Sequence, residues 1–426
     1  MKLIYVFLAL IYFLTPVHSD ETRIKKRIDG PNSQLLGQAA GYPSCPQAVQ
    51  KPECRVGSWS SAYPASYRHE VKASTHPLEL PYLSDPPTIK WHQSFKEKSI
   101  DDYMNESQIT ALLILKNGQI VDERYQYDRQ PDMPMRSFSM AKTFTSMLVG
   151  IAHEKGYIKS LDDRALDYWP DIATSAYGQT TIRHLLRMSS GVKFKELYTW
   201  TPDDDMWVWS KILYDSSNDK KPQTVIDFLN QKTTRDFEQG RRFSYASIET
   251  DVLGRVLTKA TGKSLSELTQ EWIWEPMGAE FSAFWQYSTT DRVEAASGGF
   301  NAALRDYGRF GLLLANDGKR DGQSIIPYEY LMEATDPEKQ PQAFKPKTAT
   351  PYMGYGYQIW LLPYKTRTFG LQGIHGQTIF IQPSSQIVMV QTAVYSMASG
   401  RQDNKPYQTR QAFWEGVLKS LNGKVD

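Results

Sequence analysis

The pattern Ser-x-x-Lys occurs three times in the sequence, at Ser139/Lys142, Ser190/Lys193 and Ser217/Lys220. On a helix this spacing puts both side chains on one face, where the lysine amine can reach the serine hydroxyl. If burial lowers the pKa of the lysine, its neutral amine can accept the hydroxyl proton and make the serine a nucleophile. The pattern, which is weak by itself, therefore offers an activated serine nucleophile at one of three places.

The sequence context separates these three pairs. The third lies in the polar run 215–221, and the second is followed by Gly191, which ends a helix. Ser139 instead opens an apolar helix predicted over residues 139–155, and a helix N-terminus favours a developing oxyanion. We therefore predict that Ser139 is the nucleophile and Lys142 its base. The alternative is that Ser139 only caps the helix.

Other common chemistries lack their spacings. There is no Gly-x-Ser-x-Gly elbow and no His-Glu-x-x-His, and the seven histidines include no i, i+4 pair. Gly262-Lys263-Ser264 resembles the end of a phosphate-binding loop, but Leu257 stands where its first glycine should be. The sequence therefore predicts no metal and no cofactor.

The surrounding elements predict an α+β protein. Strands over 111–116 and 119–125 are joined by Asn117-Gly118, a strong hairpin signal. Helices are predicted over 181–188, 224–231, 248–260 and 302–314, and another is predicted to begin at the capping box of Ser264 and Glu267 and to run toward Trp274. The last elements are predicted as strands over 355–362, 377–381 and 387–394, followed by a helix over 406–421. This order predicts that a helical block, about 181–290, is inserted between early and late strands of one sheet.

The N-terminus predicts export. Lys2 precedes the apolar stretch 3–14, which is too short for the roughly 20 residues of a membrane-spanning helix, so residues 1–19 resemble a cleaved signal peptide rather than an anchor. The mature protein is expected to be secreted or periplasmic, without stable membrane insertion. Residues 20–87 have no sustained period and are predicted to be an irregular extension of a catalytic domain over 88–426.

The net charge argues against nucleic acid as a partner. A net charge of +2 spread over 426 residues gives no basic stripe for nucleic acid. Cys45 and Cys54 are the only cysteines, and in an oxidising compartment they are expected to pair and close a local loop. The sequence says nothing of oligomeric state.

Two segments carry a resemblance to a known family. Residues 137–152, continuing to 156–163, and then 181–191 with its Ser-Gly turn, resemble the serine β-lactamase and penicillin-binding-protein superfamily. The pattern is most similar to the class C-like branch of esterases and amidases that includes 6-aminohexanoate-dimer hydrolase. The resemblance covers roughly residue 101 to the C-terminus. It implies an antiparallel sheet flanked by helices with a mainly helical subdomain, and a mechanism without cofactor.

The resemblance also implies roles for further residues. Tyr245, in the family's Tyr-x-Ser position, would shuttle protons if its pKa is drawn down, and Ser247 would point into the same cleft. The N–H groups of Ser139 and Gln377 would form the oxyanion hole.

The triplet before Gln377 departs from the family pattern. Ile374 replaces the lysine that holds a substrate carboxylate in penicillin-recognising enzymes, while Gly376 would let the strand approach the substrate. His375 is interpreted as a hydrogen-bonding strand residue or, alternatively, as a substrate contact.

The function predicted from these residues is an exported serine hydrolase that cleaves an ester or a small amide. The alternatives are a D-amino-acid peptidase or weak β-lactamase, and a non-catalytic sensor that keeps the fold. The loops 194–209 and 285–300 are expected to shape the pocket. Four tryptophans are candidates for its aromatic walls or for ordinary packing, namely Trp200, Trp207, Trp209 and Trp285.

Overall fold

The computed structural model describes residues 23–45, 51–60, 67–214 and 223–426. The predicted signal peptide and the Ser217/Lys220 pair lie outside the described residues. The helices are α1 (Pro52–Trp59), α2 (Ile100–Glu106), α3 (Ala141–Glu154), α4 (Ile182–Leu186), α5 (Asp205–Tyr214), α6 (Val225–Gln231), α7 (Ser247–Thr261), α8 (Leu265–Thr269), α9 (Glu275–Met277), α10 (Leu304–Ala315), α11 (Tyr328–Thr335) and α12 (Lys405–Ser420). None of the helices in this part of the chain is long and apolar enough to cross a membrane.

The strands are β1 (Lys25–Lys26), β2 (Arg68–Val71), β3 (Trp91–Gln93), β4 (Lys96–Lys98), β5 (Ile109–Lys116), β6 (Gln119–Tyr125), β7 (Met135–Arg136), β8 (Ala283–Gln286), β9 (Phe300–Ala302), β10 (Lys319–Arg320), β11 (Gln323–Ser324), β12 (Gly354–Tyr355), β13 (Trp360–Leu361), β14 (Phe369–Gly373), β15 (Gln377–Gln382) and β16 (Ile387–Ala393). Eight of them form the main sheet, in the order β1-β6-β5-β16-β15-β14-β13-β12. All neighbours in it are antiparallel except β1 and β6. The α+β prediction is confirmed, since the C-terminal strands complete the sheet that β5 and β6 begin.

Helices cover both faces of this sheet because its strands alternate two apolar sets. Leu113 and Leu115 belong to the cluster with α10, while Leu112 and Ile114 belong to the cluster with α12. Gly308 lets α10 lie close, because a Cβ there would come within 2.6 Å of the Leu113 side chain. The sheet is therefore a buried and rigid support for loops at its edge.

Two local predictions differ in outcome. The Asn117-Gly118 hairpin is confirmed, with φ of 51° and 78° at the two turn residues. The single strand predicted over 355–362 is wrong, because β12 and β13 pair with each other across a turn at Gly356. A Cβ on Gly356 would lie 1.8 Å from the carbonyl oxygen of Ala334, a tertiary contact that no local pattern reveals.

The N-terminal segment contains more regular structure than predicted. It contributes β1 to the main sheet, and β2 to a smaller sheet with the order β2-β8-β9-β7. It also holds the helix α1, whose Cys54 forms the predicted disulfide with Cys45. The segment is thus tied into the domain at several points.

Candidate active site

The predicted nucleophile Ser139 lies in a tight turn just before α3. Residues Phe138–Met140 form one turn of 3-10 helix, and the Ser139 side chain is partly exposed. The turn is held on two sides. The N–H of Ser137 donates to the carbonyl of Phe300 in β9 at 2.9 Å, and Gly373 at the end of β14 lies so close that a Cβ would meet the Ser137 carbonyl at 2.4 Å.

Lys142 is buried directly beneath this turn. Its Nζ donates to Ser139 Oγ at 2.9 Å and to the carbonyl of Ser297 at 2.7 Å. Its side chain is only 2% exposed. Burial lowers the pKa of Lys142 to about 8, against the opposing effect of the negative charges of Glu196 and Asp251. The predicted contact between Lys142 and Ser139 is therefore present, with an amine that is partly neutral near physiological pH.

Asp251 in α7 fixes the carbonyl that holds Lys142. Its carboxylate accepts the N–H of Ser297 at 2.9 Å and the Ser297 hydroxyl at 3.0 Å, and the indole N–H of Trp209 at 2.7 Å. Burial raises the pKa of Asp251 above its ordinary value. Sequence reasoning missed both Asp251 and Ser297. An acidic residue inside the apolar face of a predicted helix is the signal that could have drawn attention to Asp251.

Tyr245 lies beside Lys142. The lysine Nζ lies 5.3 Å from the centroid of the tyrosine ring. Burial, followed by the charge of Glu196, raises the pKa of Tyr245 above its ordinary range, although hydrogen bonds with Ser139 and Ser247 act in the opposite direction. The condition of a lowered phenol pKa is therefore not met, because desolvation outweighs those hydrogen bonds. The phenol stays protonated.

Aromatic rings surround Tyr245, but they are not the tryptophans named as wall candidates. Trp360 stacks on Tyr245 with centroids 5.7 Å apart, and Phe243 and Tyr355 complete the group. Trp209 and Trp285 are fully buried in the core. Trp200 is 38% exposed and Trp207 half-buried, so only these two of the four candidates reach the surface.

Ser247 is engaged by a carboxylate that sequence reasoning missed. Its hydroxyl and its N–H each donate to Glu196 at 2.7 Å, and the Tyr198 hydroxyl donates to the same carboxylate at 2.5 Å. Glu196 lies within the predicted pocket loop 194–209, which the buried carboxylate of Asp204 folds by accepting several backbone N–H groups. No spacing in the sequence connects residue 196 with 247. Ser247 is thus 2% exposed and already paired.

His375 lies in a turn between β14 and β15, not in a strand as interpreted. Its φ is 62°, its Nδ1 donates to the carbonyl of Tyr395 at 2.8 Å, and burial lowers the pKa of the ring to about 4. Gly376 also has positive φ, 97°, and a Cβ there would lie 2.7 Å from the Tyr395 ring. The turn and this close packing require the glycine at 376.

Gln377 begins β15 beside the nucleophile turn. Its side chain is pinned to β16, since its amide nitrogen donates to the Ala393 carbonyl at 2.7 Å and its oxygen accepts the Ala393 N–H at 3.0 Å. Its strand partner is Gly373, which backs the turn of Ser139. The backbones that carry the two predicted oxyanion donors are thus neighbours. Across the described ranges, no three His, Cys, Asp or Glu side chains cluster as metal ligands would.

Comparison with known proteins agrees with this fold. The model of the Beta-lactamase family matches residues 97–410. The 6-aminohexanoate-dimer hydrolase of Paenarthrobacter ureafaciens is 23% identical over 300 residues, which cover 68% of this chain and 74% of that protein.

Solved structures give the same fold. A Bacillus anthracis structure provisionally named a 6-aminohexanoate-dimer hydrolase is 23% identical, with a TM-score of 0.76, covering 88% of this chain and 97% of its own. The hydrolase EstCE1, described as having promiscuous acyltransferase activity, is 16% identical, with a TM-score of 0.56 over 74% of this chain and 96% of its own.

Proposed function

The chain belongs to the beta-lactamase family, and from this premise we propose that it is an exported serine hydrolase that cleaves an ester or a small amide through an acyl-enzyme on Ser139. One observation carries the proposal. A buried lysine amine, with its pKa lowered to about 8, lies 2.9 Å from a partly exposed serine hydroxyl. Such an amine can hold the serine proton at the moment of attack.

In the proposed acylation, neutral Lys142 accepts the proton of Ser139 as Oγ attacks the substrate carbonyl. The N–H groups of Ser139 and Gln377 would stabilise the developing oxyanion, on the order of 3 kcal/mol per donor. Tyr245, protonated because burial raises its pKa, is suited to donate to the leaving group and to recover a proton from Lys142. Water then attacks the acyl-enzyme, and the proton transfers run in reverse.

The proposed substrate class follows from residue 374. An apolar Ile374 stands where a lysine would hold a substrate carboxylate, which favours esters and simple amides over penicillins. The second candidate within the same chemistry is a D-amino-acid peptidase or weak β-lactamase, which an exported protein would be able to use on cell-wall material. Neither needs a metal or cofactor.

Export to the periplasm or the medium is supported by the N-terminal apolar stretch and by the Cys45–Cys54 disulfide. Disulfides persist in oxidising compartments and are rare in the cytosol.

The test is covalent labelling by a fluorophosphonate, together with hydrolysis of short acyl esters and of a penicillin. Wild type should be labelled once and should turn over the ester, whereas Ser139→Ala should do neither. Ser217→Ala, a change in another Ser-x-x-Lys pattern, is the matched control and should behave as wild type. Turnover of the penicillin alone would refute the substrate class. A wild type that is neither labelled nor active would favour the sensor.

A further inference from the structure

We propose that Trp59 is a positioning residue for the oxyanion hole, through which the N-terminal segment holds the backbone on both sides of the nucleophile. The inference rests on the proposed function at Ser139. Trp59 lies outside the matched family region 97–410. It belongs to a segment in which the sequence indicated no chemistry.

One indole contacts both turns that lead to the predicted oxyanion donors. The Trp59 ring meets Phe138 edge-on with centroids 5.1 Å apart, and it meets His375 at 4.4 Å. Phe138 directly precedes Ser139, and His375 lies two residues before Gln377. Phe138 and His375 also contact each other, at 5.8 Å. The three rings therefore form one packed unit that includes a residue from each of the turns preceding Ser139 and Gln377.

Both contacted residues have left-handed backbones. Phe138 has a φ of 45° and His375 a φ of 62°. For residues with a side chain this conformation costs roughly 1–2 kcal/mol, and it persists where the surroundings enforce it. His375 is also held by its N–H, which donates to the carbonyl of Ala398 at 2.9 Å. For Phe138 the packing of its ring against Trp59 and His375, within a core cluster that also holds Val394, supplies the constraint.

The indole is itself held firmly. Trp59 is 4% exposed and ends α1, which the Cys45–Cys54 disulfide joins to the preceding chain. Gly57 in α1 lies so close to that chain that a Cβ would meet the carbonyl oxygen of Tyr42 at 2.2 Å. One residue beyond the indole, the Ser60 hydroxyl accepts from the buried Arg129 at 3.0 Å. A rigid support of this kind is what preorganised donors require.

A positioning role has a distinct kinetic signature. Trp59 carries no charge and does not touch Lys142, so its loss should leave the pH midpoint of kcat unchanged. Misplacing the donors should lower the plateau of kcat, roughly 10- to 100-fold, with KM within about threefold of wild type.

The experiment compares Trp59→Ala, Trp59→Leu and Trp59→Phe in ester hydrolysis, below the melting temperature of each variant. We expect the plateau of kcat to fall in Trp59→Ala and Trp59→Leu. In Trp59→Phe, which keeps an aromatic ring, the plateau should lie close to that of wild type. Trp59→Leu preserves apolar volume and serves as the test if Trp59→Ala does not fold. Trp91→Ala is the matched control, since Trp91 is also buried but belongs to a different core cluster, where it packs against Tyr103 and Phe413.

The outcomes separate the two proposals. A wild type that a fluorophosphonate does not label refutes the function proposed at Ser139, and this inference with it. A labelled and active wild type, with kcat unchanged in Trp59→Leu or lowered equally in Trp91→Ala, overturns the role of Trp59 alone. A moved pH midpoint in the Trp59 variants also overturns it.

Discussion

Two regions meet at Ser139, and they are held together by different interactions. The polar side consists of Lys142, Glu196, Ser247 and Asp251, joined by hydrogen bonds and charge. The apolar side consists of the rings of Trp59, Phe138 and His375 with Val394, joined by packing. The charges of the polar side act on the pKa of Lys142, whereas the rings of the apolar side contact the turns that precede Ser139 and Gln377. Changes on the two sides should therefore have separable effects.

The two sides also differ in how their buried ionisable groups are stabilised. Buried charges are stable only when paired, and the carboxylates of Glu196 and Asp251 each accept at least three hydrogen bonds. On the apolar side, His375 avoids charge altogether, because burial lowers the pKa of its ring to about 4. Burial therefore has different results on the two sides. On the polar side the buried carboxyl groups are satisfied by hydrogen bonds, whereas on the apolar side the buried His375 ring stays neutral.

The largest expected effect is the loss of the base on the polar side. Lys142→Met keeps an unbranched side chain as far as Cε and removes the amine, so we expect kcat/KM to fall roughly 10³-fold or more. In wild type, kcat/KM should fall as the pH drops through about 8, because Lys142 then becomes protonated. Lys193→Met, in another Ser-x-x-Lys pattern, is the control. Full activity in Lys142→Met would refute the role of the amine.

Tyr245→Phe should have the next largest effect. The ring and its stacking on Trp360 are retained, but the proton donor is lost, so kcat should fall roughly 10²-fold without a change in melting temperature. Tyr355→Phe removes a hydroxyl from the adjacent ring and should leave kcat unaltered. Equal losses in the two variants would argue against a proton shuttle at Tyr245.

A third prediction concerns the apolar side and acid stability. The pKa of His375 is about 4 in the folded protein and near 6.5 when unfolded, so the unfolded chain binds the proton first as the pH falls. Stability from the neutral ring is complete above pH 6.5 and is lost toward pH 4, by about 3 kcal/mol.

Denaturant unfolding of His375→Gln at several pH values checks this. The free energy of unfolding of the variant should fall less than that of wild type between pH 6.5 and 4. His153→Gln is the control, because its histidine lies at the end of α3, away from the three-ring unit. Parallel curves for wild type and His375→Gln would contradict the prediction.

The smallest expected effect is that of Glu196 on the pKa of Lys142, and it tests whether the polar and apolar sides act separately. The charge of Glu196 raises the pKa of Lys142, so Glu196→Gln should move the pH midpoint of kcat/KM to a lower value. Glu249→Gln is the control for substitution at a buried acidic group, since Glu249 is also buried and accepts a hydrogen bond from the Ser190 hydroxyl. Burial raises the pKa of Glu249 to about 8, so this change removes little negative charge at neutral pH. It should leave the midpoint in place. A midpoint that shifts in both variants, or with Trp59→Leu, would remove the distinction between the two sides.

Local features were predictable from sequence because they depend on neighbours in the chain. The Asn117-Gly118 hairpin and the capping box at Ser264 follow from backbone preference and side-chain reach over a few residues, and the structure has both. The pairing of Ser139 with Lys142 is of the same kind, a spacing of three at the start of a helix. The family resemblance of residues 137–152, 156–163 and 181–191 then predicted the overall fold.

Burial and long-range contacts were decided only by the tertiary structure. The partners Glu196 and Ser247, or Trp59 and His375, are far apart in the chain, and no spacing encodes them. The sign of the pKa shift at Tyr245 depends on whether desolvation or hydrogen bonding has the larger effect, and only the packing of the folded chain decides this. The sequence alone thus predicted Ser139 and Lys142 as the reactive pair, because reactivity depends on side-chain type and local spacing. The folded chain decided how each group is charged and held, because both depend on what packs around it.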